Sequence, residues 1–376
     1  MGKRSTRHGG EVCGVDLGDR YSRLCIVAGE TGEIVEEGRI ATTEVALRRR
    51  FASVAPMRIA IEVGTHSPWV SRLLTECGHE VIVANPRKVR LIYSNRRKND
   101  AIDALYLARL ARTDPTLLAP IRHRGQESQH DLALLRSRDA LVRARTQLIN
   151  HVRGAVKATG SRLPRWSAEA FARKAGGALP PGLVTVVGPT IEVIGSLTAQ
   201  IREYEHKLNA LAEAYPETSR LRQVKGVGVI TSLAYVLTLE DPSRFARSRA
   251  VGPYLGLIPA RRDSGESSPQ LRISKEGDAF LRRLLVGSAH YILGPFGEDC
   301  DLRRHGMKLG AGGSKKDKKR AVVAVARKLG VLLHRLWQSQ ATYDPLYNAK
   351  RDANASLAAC RKDTTPVREK ATARNE

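Results

Sequence analysis

The sequence predicts an α/β domain at the amino-terminal end of the chain, followed by a mostly helical remainder. Through residues 11–112, short apolar runs typical of strands alternate with segments whose apolar residues have helical spacing. Apolar positions three and four apart then recur through two long stretches within 126–214. From residue 221 onward, shorter helical patterns are interrupted by glycine-rich turns. We therefore expect an α/β domain joined to α-helical regions.

The composition limits the kind of partner. The chain has 376 residues, and its 63 Lys and Arg against 38 Asp and Glu give a net charge of +25. Such an excess favours a polyanionic partner, for which nucleic acid is the usual choice. We see neither an apolar run of roughly 18 residues nor a signal-peptide core, so no membrane association is expected. The five cysteines form no CxxC pair, which favours a reducing cytoplasm and argues against structural zinc.

The elements of the first domain follow a recognisable order. Three strands precede a helix, and strands and helices then alternate, with predicted bounds at 12–18, 22–28, 33–40, 43–54, 58–63, 66–77, 80–84 and 100–112. The segment 86–93 is expected to be a short helix or a loop. This order fits the ribonuclease-H-like fold, in which catalytic acids lie at the ends of central strands and on a late helix.

Four carboxylates occupy those places. Asp16 ends the first strand, Glu62 ends the fourth, and Asp100 and Asp103 lie one turn apart at the start of the last helix. Each has an ordinary explanation alone, since acids are favoured in a first helical turn and are common at strand ends. Together they predict a site for two divalent cations about 3.5–4 Å apart.

The middle of the chain predicts two long helices, at 126–160 and 189–214, separated by a break rich in Gly, Pro and Ala. The apolar positions of the second helix form a heptad seam. A helical hairpin, an intermolecular coiled coil and an ordinary bundle all remain open. Cations on the first helix favour contact with phosphate, and we expect Arg138, Arg145 and Arg153 to bind nucleic acid.

The last part of the chain carries three further candidate segments. Lys225, Gly226 and Gly228 form a helix-hairpin-helix-like turn, and we expect the N–H groups of the following helix to hold a phosphate of nucleic acid. The alternative is a plain tight turn between two helices. Ser264 precedes a glycine and by its chemistry alone is an ordinary turn serine. Basic residues that we expect to bind nucleic acid are Lys275, Lys315, Lys316 and Lys319, the last three leading into an amphipathic helix.

Taken in order, these segments resemble the DEDD transposases of the insertion sequence one-ten family, relatives of the Piv DNA invertase. The resemblance spans about 11–340 and is carried by Gly14-Val15-Asp16, Ile61-Glu62-Val63-Gly64, Lys98-Asn99-Asp100, Asp103-Ala104, Gly226-Val227-Gly228, Gly256-Leu257-Ile258-Pro259, Ser264-Gly265 and Ile273-Ser274-Lys275-Glu276-Gly277. The ordered combination is highly specific, although no single motif is.

The resemblance implies a domain plan. It implies a RuvC-like domain, a coiled-coil middle and a mostly helical transposase domain that contains the helix-hairpin-helix-like motif. The expected bounds are 1–10 for a disordered basic tail, 11–125, 126–218 and 219–345 for the three domains, and 346–376 for a polar tail.

It also implies a chemistry and a set of partners. Asp16, Glu62, Asp100 and Asp103 would hold Mg²⁺ or Mn²⁺, and Ser264 would attack DNA to form a serine-linked phosphate. The partners would be donor and target double-stranded DNA, a non-coding bridge RNA and further copies of the chain, from dimer to tetramer, at the nucleoid in the bacterial cytoplasm. Many relatives have a small residue where this chain has Asp263, and Ser267 and Ser268 are alternative nucleophiles.

Two other functions fit the same residues. One is a structure-specific endonuclease that uses the four acids to hydrolyse DNA junctions, with Ser264 a bystander. The other is a basic nucleic-acid-binding module without enzymatic activity. A covalent protein–DNA adduct separates the recombinase from both.

Overall fold

The computed structural model describes residues 10–86, 100–262, 264–265, 267–269 and 271–351. The chain forms two compact units, Met1–Arg124 and Gly125–Glu376. Most of the two predicted tails, at 1–9 and 352–376, and most of the 86–93 segment lie outside the described residues. The expectations for those stretches remain predictions, as does the finer division into domains.

The first unit contains a five-stranded mixed sheet. Strands β1 to β3 are antiparallel neighbours, whereas β1, β4 and β5 run parallel, and the order across the sheet is β3-β2-β1-β4-β5. The strands are β1 Val12–Asp16, β2 Tyr21–Val27, β3 Ile34–Ala41, β4 Arg58–Glu62 and β5 Glu80–Ala84. All five strands predicted from the sequence are confirmed, with ends that differ by up to two residues.

Helices cover both faces of this sheet. They are α1 Glu44–Phe51, α2 Ser67–Glu76 and α3 Asp100–Thr113. Side chains alternate along each strand, so Cys13 and Val15 pack with α1 and α2, while Val12 faces α3. The α/β character predicted for this part of the chain is confirmed.

The second unit begins with an antiparallel pair of long helices. These are α4 Gln126–Ala158 and α6 Val184–Glu213, with the short α5 Ala168–Ala175 between them. The seam residues Ile194, Ile201 and Leu208 of α6 are buried within this chain. These residues therefore pack in a helical hairpin within the chain, which disfavours the intermolecular coiled coil for them. The sequence period alone could not tell which helix supplies the partner face.

Within the described part of the chain, one helix, Pro181–Glu213, is long and apolar enough to cross a membrane by length and composition. The expectation that the chain has no apolar run long enough to cross a membrane is therefore corrected for this helix. One helix of this kind is weak evidence for a membrane span, and the seam of α6 packs in the hairpin.

The remaining helices surround one apolar core. They are α7 Glu217–Leu221, α8 Val229–Leu239, α9 Val251–Tyr254, α10 Ala279–Leu293, α11 Asp301–Gly310 and α12 Lys315–Ser339. Tyr235 lies fully buried at the centre of α8, and its hydroxyl donates to the carbonyl oxygen of Gly330 at 2.6 Å. The side chain of Ser314 caps α12 by accepting from the backbone N–H of Asp317 at 3.1 Å. The predicted amphipathic helix after Lys315 is confirmed.

Candidate active site

Two predicted site residues end neighbouring parallel strands. Asp16 is the last residue of β1 and Glu62 the last of β4, and these strands pair with Val15 opposite Ile61. Val15 and Ile61 both pack towards α1 and α2, so the residue that follows each points to the other face of the sheet. Asp16 and Glu62 are half-buried and share the sheet face that α3 covers.

Gly14 fixes the position of α3 on that face. A Cβ atom at Gly14 would lie 2.0 Å from the carbonyl oxygen of Ala104 and 2.5 Å from the backbone nitrogen of Ala108. The helix backbone therefore rests directly on β1, two residues before Asp16. Asp103 precedes Ala104 and is only 8% exposed, so it belongs to the same covered face. The structure thus directs Asp16, Glu62 and Asp103 to one face at one edge of the sheet.

The chemistry of these acids fits a hard divalent cation, which prefers carboxylate oxygens. Asp100 is the first residue of α3, one turn before Asp103, and its side chain lies outside the described residues. Among the side chains that are described, no group of three or more His, Cys, Asp or Glu lies close enough together to hold a metal ion. The agreement with a metal site is therefore limited to the type of ligand and to the face that Asp16, Glu62 and Asp103 share. Binding of a metal ion by all four acids stays a prediction.

His66 lies in the loop that follows Glu62 and was missed from the sequence. The indole N–H of Trp69 donates to His66 Nδ1 at 3.1 Å, and His66 Nε2 lies 3.7 Å from Oδ1 of Asp19. Because an indole N–H can only donate, Nδ1 is unprotonated and Nε2 carries the ring proton. The signal in the sequence was a histidine four residues after Glu62 with a tryptophan one turn later.

Ser264 lies at the tip of a β-hairpin-like loop. The legs are paired by bonds from Ala260 N to Arg272 O at 2.8 Å and from Ser274 N to Ile258 O at 2.9 Å. At the tip, Ser264 and Ser267 exchange backbone hydrogen bonds of 3.1 and 3.0 Å.

The tip is exposed. Gly265 has φ +55°, and the side chains of Ser264, Ser267 and Ser268 are all on the surface. Asp263, which differs from many relatives, lies outside the described residues. All three serines are exposed enough to act as a nucleophile, so exposure does not distinguish among them.

Two glycines hold the base of this loop together. A Cβ at Gly256, whose φ is +65°, would lie 2.1 Å from the carbonyl oxygen of Glu276. A Cβ at Gly277, whose φ is +76°, would lie 1.9 Å from the carbonyl oxygen of Tyr254. Two backbone segments thus cross in direct contact, and Lys275 lies beside the crossing with an exposed side chain.

The predicted turn between two helices is confirmed at Lys225 to Gly228. Gly226 has φ +90°, and a Cβ there would lie 2.9 Å from the ring of Tyr291. Gly228 caps α8 with open space around it, as close approach of a ligand to the helix N-terminus requires. The exposed Lys225 ammonium lies 3.4 Å from a carboxylate oxygen of Glu298. Binding of nucleic acid by this turn stays a prediction.

Comparison with known proteins finds relatives along most of the chain. A transposase family model of the DEDD, IS110 type matches residues 13–160, and the model for transposases of the IS116/IS110/IS902 family matches 218–294. The transposase of insertion sequence element IS1328 from Yersinia enterocolitica is 34% identical, over 67% of this chain and 75% of that protein. This chain belongs to the IS110 family of transposases.

Another relative covers more of the chain. The transposase of insertion sequence element IS1111A from Coxiella burnetii is 29% identical, over 89% of this chain and 91% of that protein. A probable family 20 transposase from Pseudomonas aeruginosa is 28% identical, over 68% of this chain and 77% of that protein. The two family models, which match residues 13–160 and 218–294, cover the sheet edge with its acids and the loop with Ser264.

Three arginines of α4 that were predicted to bind phosphate make contacts within the chain of this transposase. Arg145 is buried, donates to Glu169 at 3.1 Å and to the hydroxyl of Thr198 at 3.3 Å. Arg138 pairs with Glu205 of α6. Arg153 donates to the carbonyl oxygen of Leu163 at 3.2 Å, and its guanidinium lies 5.2 Å from the centroid of the Phe171 ring.

These contacts join α4 to α6 and to the segment around α5. Arg145 is only 5% exposed, so contact of its side chain with phosphate is disfavoured, while phosphate contact by the half-buried Arg138 and Arg153 stays a prediction. Helical spacing showed that the arginines recur along α4 but not that α6 would supply acids to them. By contrast, Lys315, Lys316 and Lys319 are exposed on α12.

Replacing Arg145 with alanine is expected to destabilise the fold by about 2–4 kcal/mol, because it empties a buried site and breaks its hydrogen bonds. The same change at Arg143, whose side chain is 66% exposed, should cost less than about 0.5 kcal/mol. Chemical denaturation measures both. A stable Arg145→Ala protein that binds nucleic acid with a weaker salt dependence would instead restore the phosphate contact.

Proposed function

We propose that this transposase cuts and rejoins the DNA of an insertion sequence through a serine-linked phosphate intermediate at Ser264. Asp16, Glu62, Asp100 and Asp103 bind Mg²⁺ or Mn²⁺ and assist the reaction. The observation that carries the proposal is the shared sheet face of Asp16, Glu62 and Asp103, set by the contact of α3 with Gly14. The strand order β3-β2-β1-β4-β5 with a late helix across it supports a RuvC-like, ribonuclease-H-like first domain.

The acids and Ser264 have different tasks. Bound divalent cations would supply positive charge that stabilises the oxygens of a phosphodiester under attack. Carboxylates gathered at one edge repel one another, so cation binding there would relieve that repulsion. His66 presents its Nε2–H at the same edge, where it can donate a hydrogen bond to a phosphate oxygen.

The serine step conserves the number of phosphoester bonds. The Ser264 hydroxyl loses its proton as Oγ bonds to phosphorus, while the bond from phosphorus to the sugar oxygen breaks and that oxygen takes up a proton. Attack by a sugar hydroxyl of another strand end reverses the exchange and regenerates the serine. Because a phosphoester is kept throughout, rejoining needs no external energy source. This outcome is recombination rather than hydrolysis.

The partners follow from the resemblance and the charge. Donor and target double-stranded DNA are the substrates, a bridge RNA guides their choice, and the chain acts as a homo-oligomer from dimer to tetramer at the bacterial nucleoid. The net charge of +25 supports binding to nucleic acid. The guide RNA and the oligomer rest on the resemblance alone.

A strand-transfer assay with and without metal tests the proposal. With donor and target DNA and the co-purifying RNA, Mg²⁺ or Mn²⁺ should support joined products and a protein–DNA adduct on denaturing gels. Chelation with EDTA should abolish both. Free cleaved ends without an adduct would indicate the junction endonuclease. Binding with no cleavage in either metal would indicate the non-enzymatic module.

A further inference from the structure

A large basic groove lies between the exposed face of α12 and the base of the Ser264 loop. Its volume is about 1730 Å³. Among the described residues, ten Lys and Arg line it but only two acids, Asp301 and Asp344. Four of the cations, Lys275 and the cluster of Lys315, Lys316 and Lys319, had been predicted to bind nucleic acid. The structure brings them together with others that the sequence did not single out, including Arg249, Arg327 and Arg335.

The cations of α12 share one face over its full length. Lys316, Arg320, Arg327 and Arg335 recur at helical intervals, and α12 has 25 residues, which is about 38 Å. The opposite face, with Val325 and Leu329, is buried in the core. Like charges gathered along one face repel each other, so a polyanion that lies along the groove would relieve that repulsion.

Apolar and aromatic side chains lie between these cations. Val331 and Ile273 line the groove and are half-buried, while Leu271 is exposed. Tyr347 is 45% exposed, and the guanidinium carbon of Arg335 lies 5.0 Å from its ring centroid. The segment that carries Tyr347 is anchored, since the backbone N–H of Asn348 donates to Asp301 at 2.6 Å.

We infer that this groove holds a single-stranded segment of nucleic acid. A duplex offers phosphates to a protein groove but keeps its bases stacked inside, so it would leave the apolar lining without a partner. A single strand places phosphates on the cations and bases on the apolar and aromatic surface at the same time. The mixture of cations, Val331, Ile273 and Tyr347 therefore matches a single strand better than a duplex.

The groove continues into the loop that carries the proposed nucleophile. Arg272 and Lys275 line the groove, and the backbone carbonyl of Arg272 accepts from Ala260 in the opposite leg of the loop. A strand bound along α12 would run towards Ser264. The role of this bound nucleic acid in recombination rests on the proposed function, whereas its binding to the groove can be measured separately. The strand is either DNA from a recombination site or a segment of the guide RNA, since both offer the same chemistry.

The experiment measures the affinity of the full chain for a short labelled oligonucleotide as single-stranded DNA, as single-stranded RNA of the same sequence and as duplex DNA. Tyr347→Ala should weaken binding of single strands about tenfold and leave duplex binding unchanged. Tyr347→Phe, which keeps the ring, should restore the affinity. The natural ligand is the single strand, DNA or RNA, that binds more tightly and loses more affinity in Tyr347→Ala.

A second pair of variants tests the cations. The double change Lys319→Gln and Arg327→Gln should reduce the slope of log affinity against log salt by about 1.4 for single strands, at about 0.7 per lost contact. Lys318→Gln is the matched control, because Lys318 is exposed on α12 but does not line the groove. Equal losses for duplex and single strands, or unchanged affinity and slope in all variants, would overturn the inference.

The adduct assay separates this inference from the proposed function. If the adduct forms and the groove variants bind single strands as the unaltered chain does, the groove assignment alone is wrong. If single strands bind as expected but no adduct forms under any metal condition, the serine mechanism alone is wrong.

Discussion

Ser264→Ala is expected to abolish recombination while leaving the protein folded. The change removes one exposed oxygen at the tip of a loop whose turn is closed by the backbone atoms of Ser264 and Ser267. Stability should therefore change by less than about 0.5 kcal/mol. The protein–DNA adduct on denaturing gels and the joined DNA products should both disappear, and a thermal melt measures the stability.

The neighbouring serines supply matched controls. Ser267→Ala keeps both backbone bonds of the turn, and Ser268→Ala changes an exposed residue of the same loop, so both variants should retain the adduct. Ser264→Cys should retain at most a trace, because a thiolate is nucleophilic but forms a poorer phosphate ester. If Ser267→Ala or Ser268→Ala abolishes the adduct while Ser264→Ala keeps it, the nucleophile is misassigned.

The first domain was predictable because its signals are local. Each strand is a short apolar run bounded by turn residues, with Asp16 at the end of β1 and Glu62 at the end of β4. Ends of parallel strands meet at one edge of a sheet by geometry alone. The placement of these two acids therefore followed from sequence, whereas a cluster tight enough for metal did not appear among the described side chains.

The surface of the helical regions was much less predictable. Periodicity shows which residues share a helix face but not what covers that face. The arginines of α4 meet Glu205 and Glu169, which are 67 and 24 residues away from their partners in the chain. The groove along α12 is likewise lined by residues of an earlier loop, from Leu257 to Lys275. Such long-range pairings carry no local pattern.

The glycines of the motifs gained a reason only from the structure. In the sequence, Gly14 and Gly256 belong to short motifs, and the residues around them do not indicate that another backbone segment packs against either glycine. In the fold, a Cβ at either position would overlap a backbone oxygen at about 2 Å, from Ala104 and Glu276 respectively. Close packing of two backbones explains why glycine is required at both sites.

Asp103→Asn is expected to abolish strand transfer and adduct formation without loss of the fold. Asp103 is 8% exposed on the sheet face it shares with Asp16 and Glu62, and the amide has nearly the same shape as the carboxylate. Removing one of several like charges relieves repulsion in the metal-free protein, so its melting temperature should hold or rise. Adding Mg²⁺ should raise the melting temperature of the unaltered chain, since a ligand that binds only the folded state stabilises it.

The melting temperature of Asp103→Asn should not rise when Mg²⁺ is added, and this measurement does not depend on recombination. Glu37→Gln is the matched control, because Glu37 is an exposed acid on the edge strand β3 and should keep both strand transfer and the response to Mg²⁺. Asp16→Asn should behave like Asp103→Asn. Full strand transfer in either variant would exclude that carboxylate from the site. A lost metal response with retained strand transfer would mean that Mg²⁺ binds these acids without assisting the reaction.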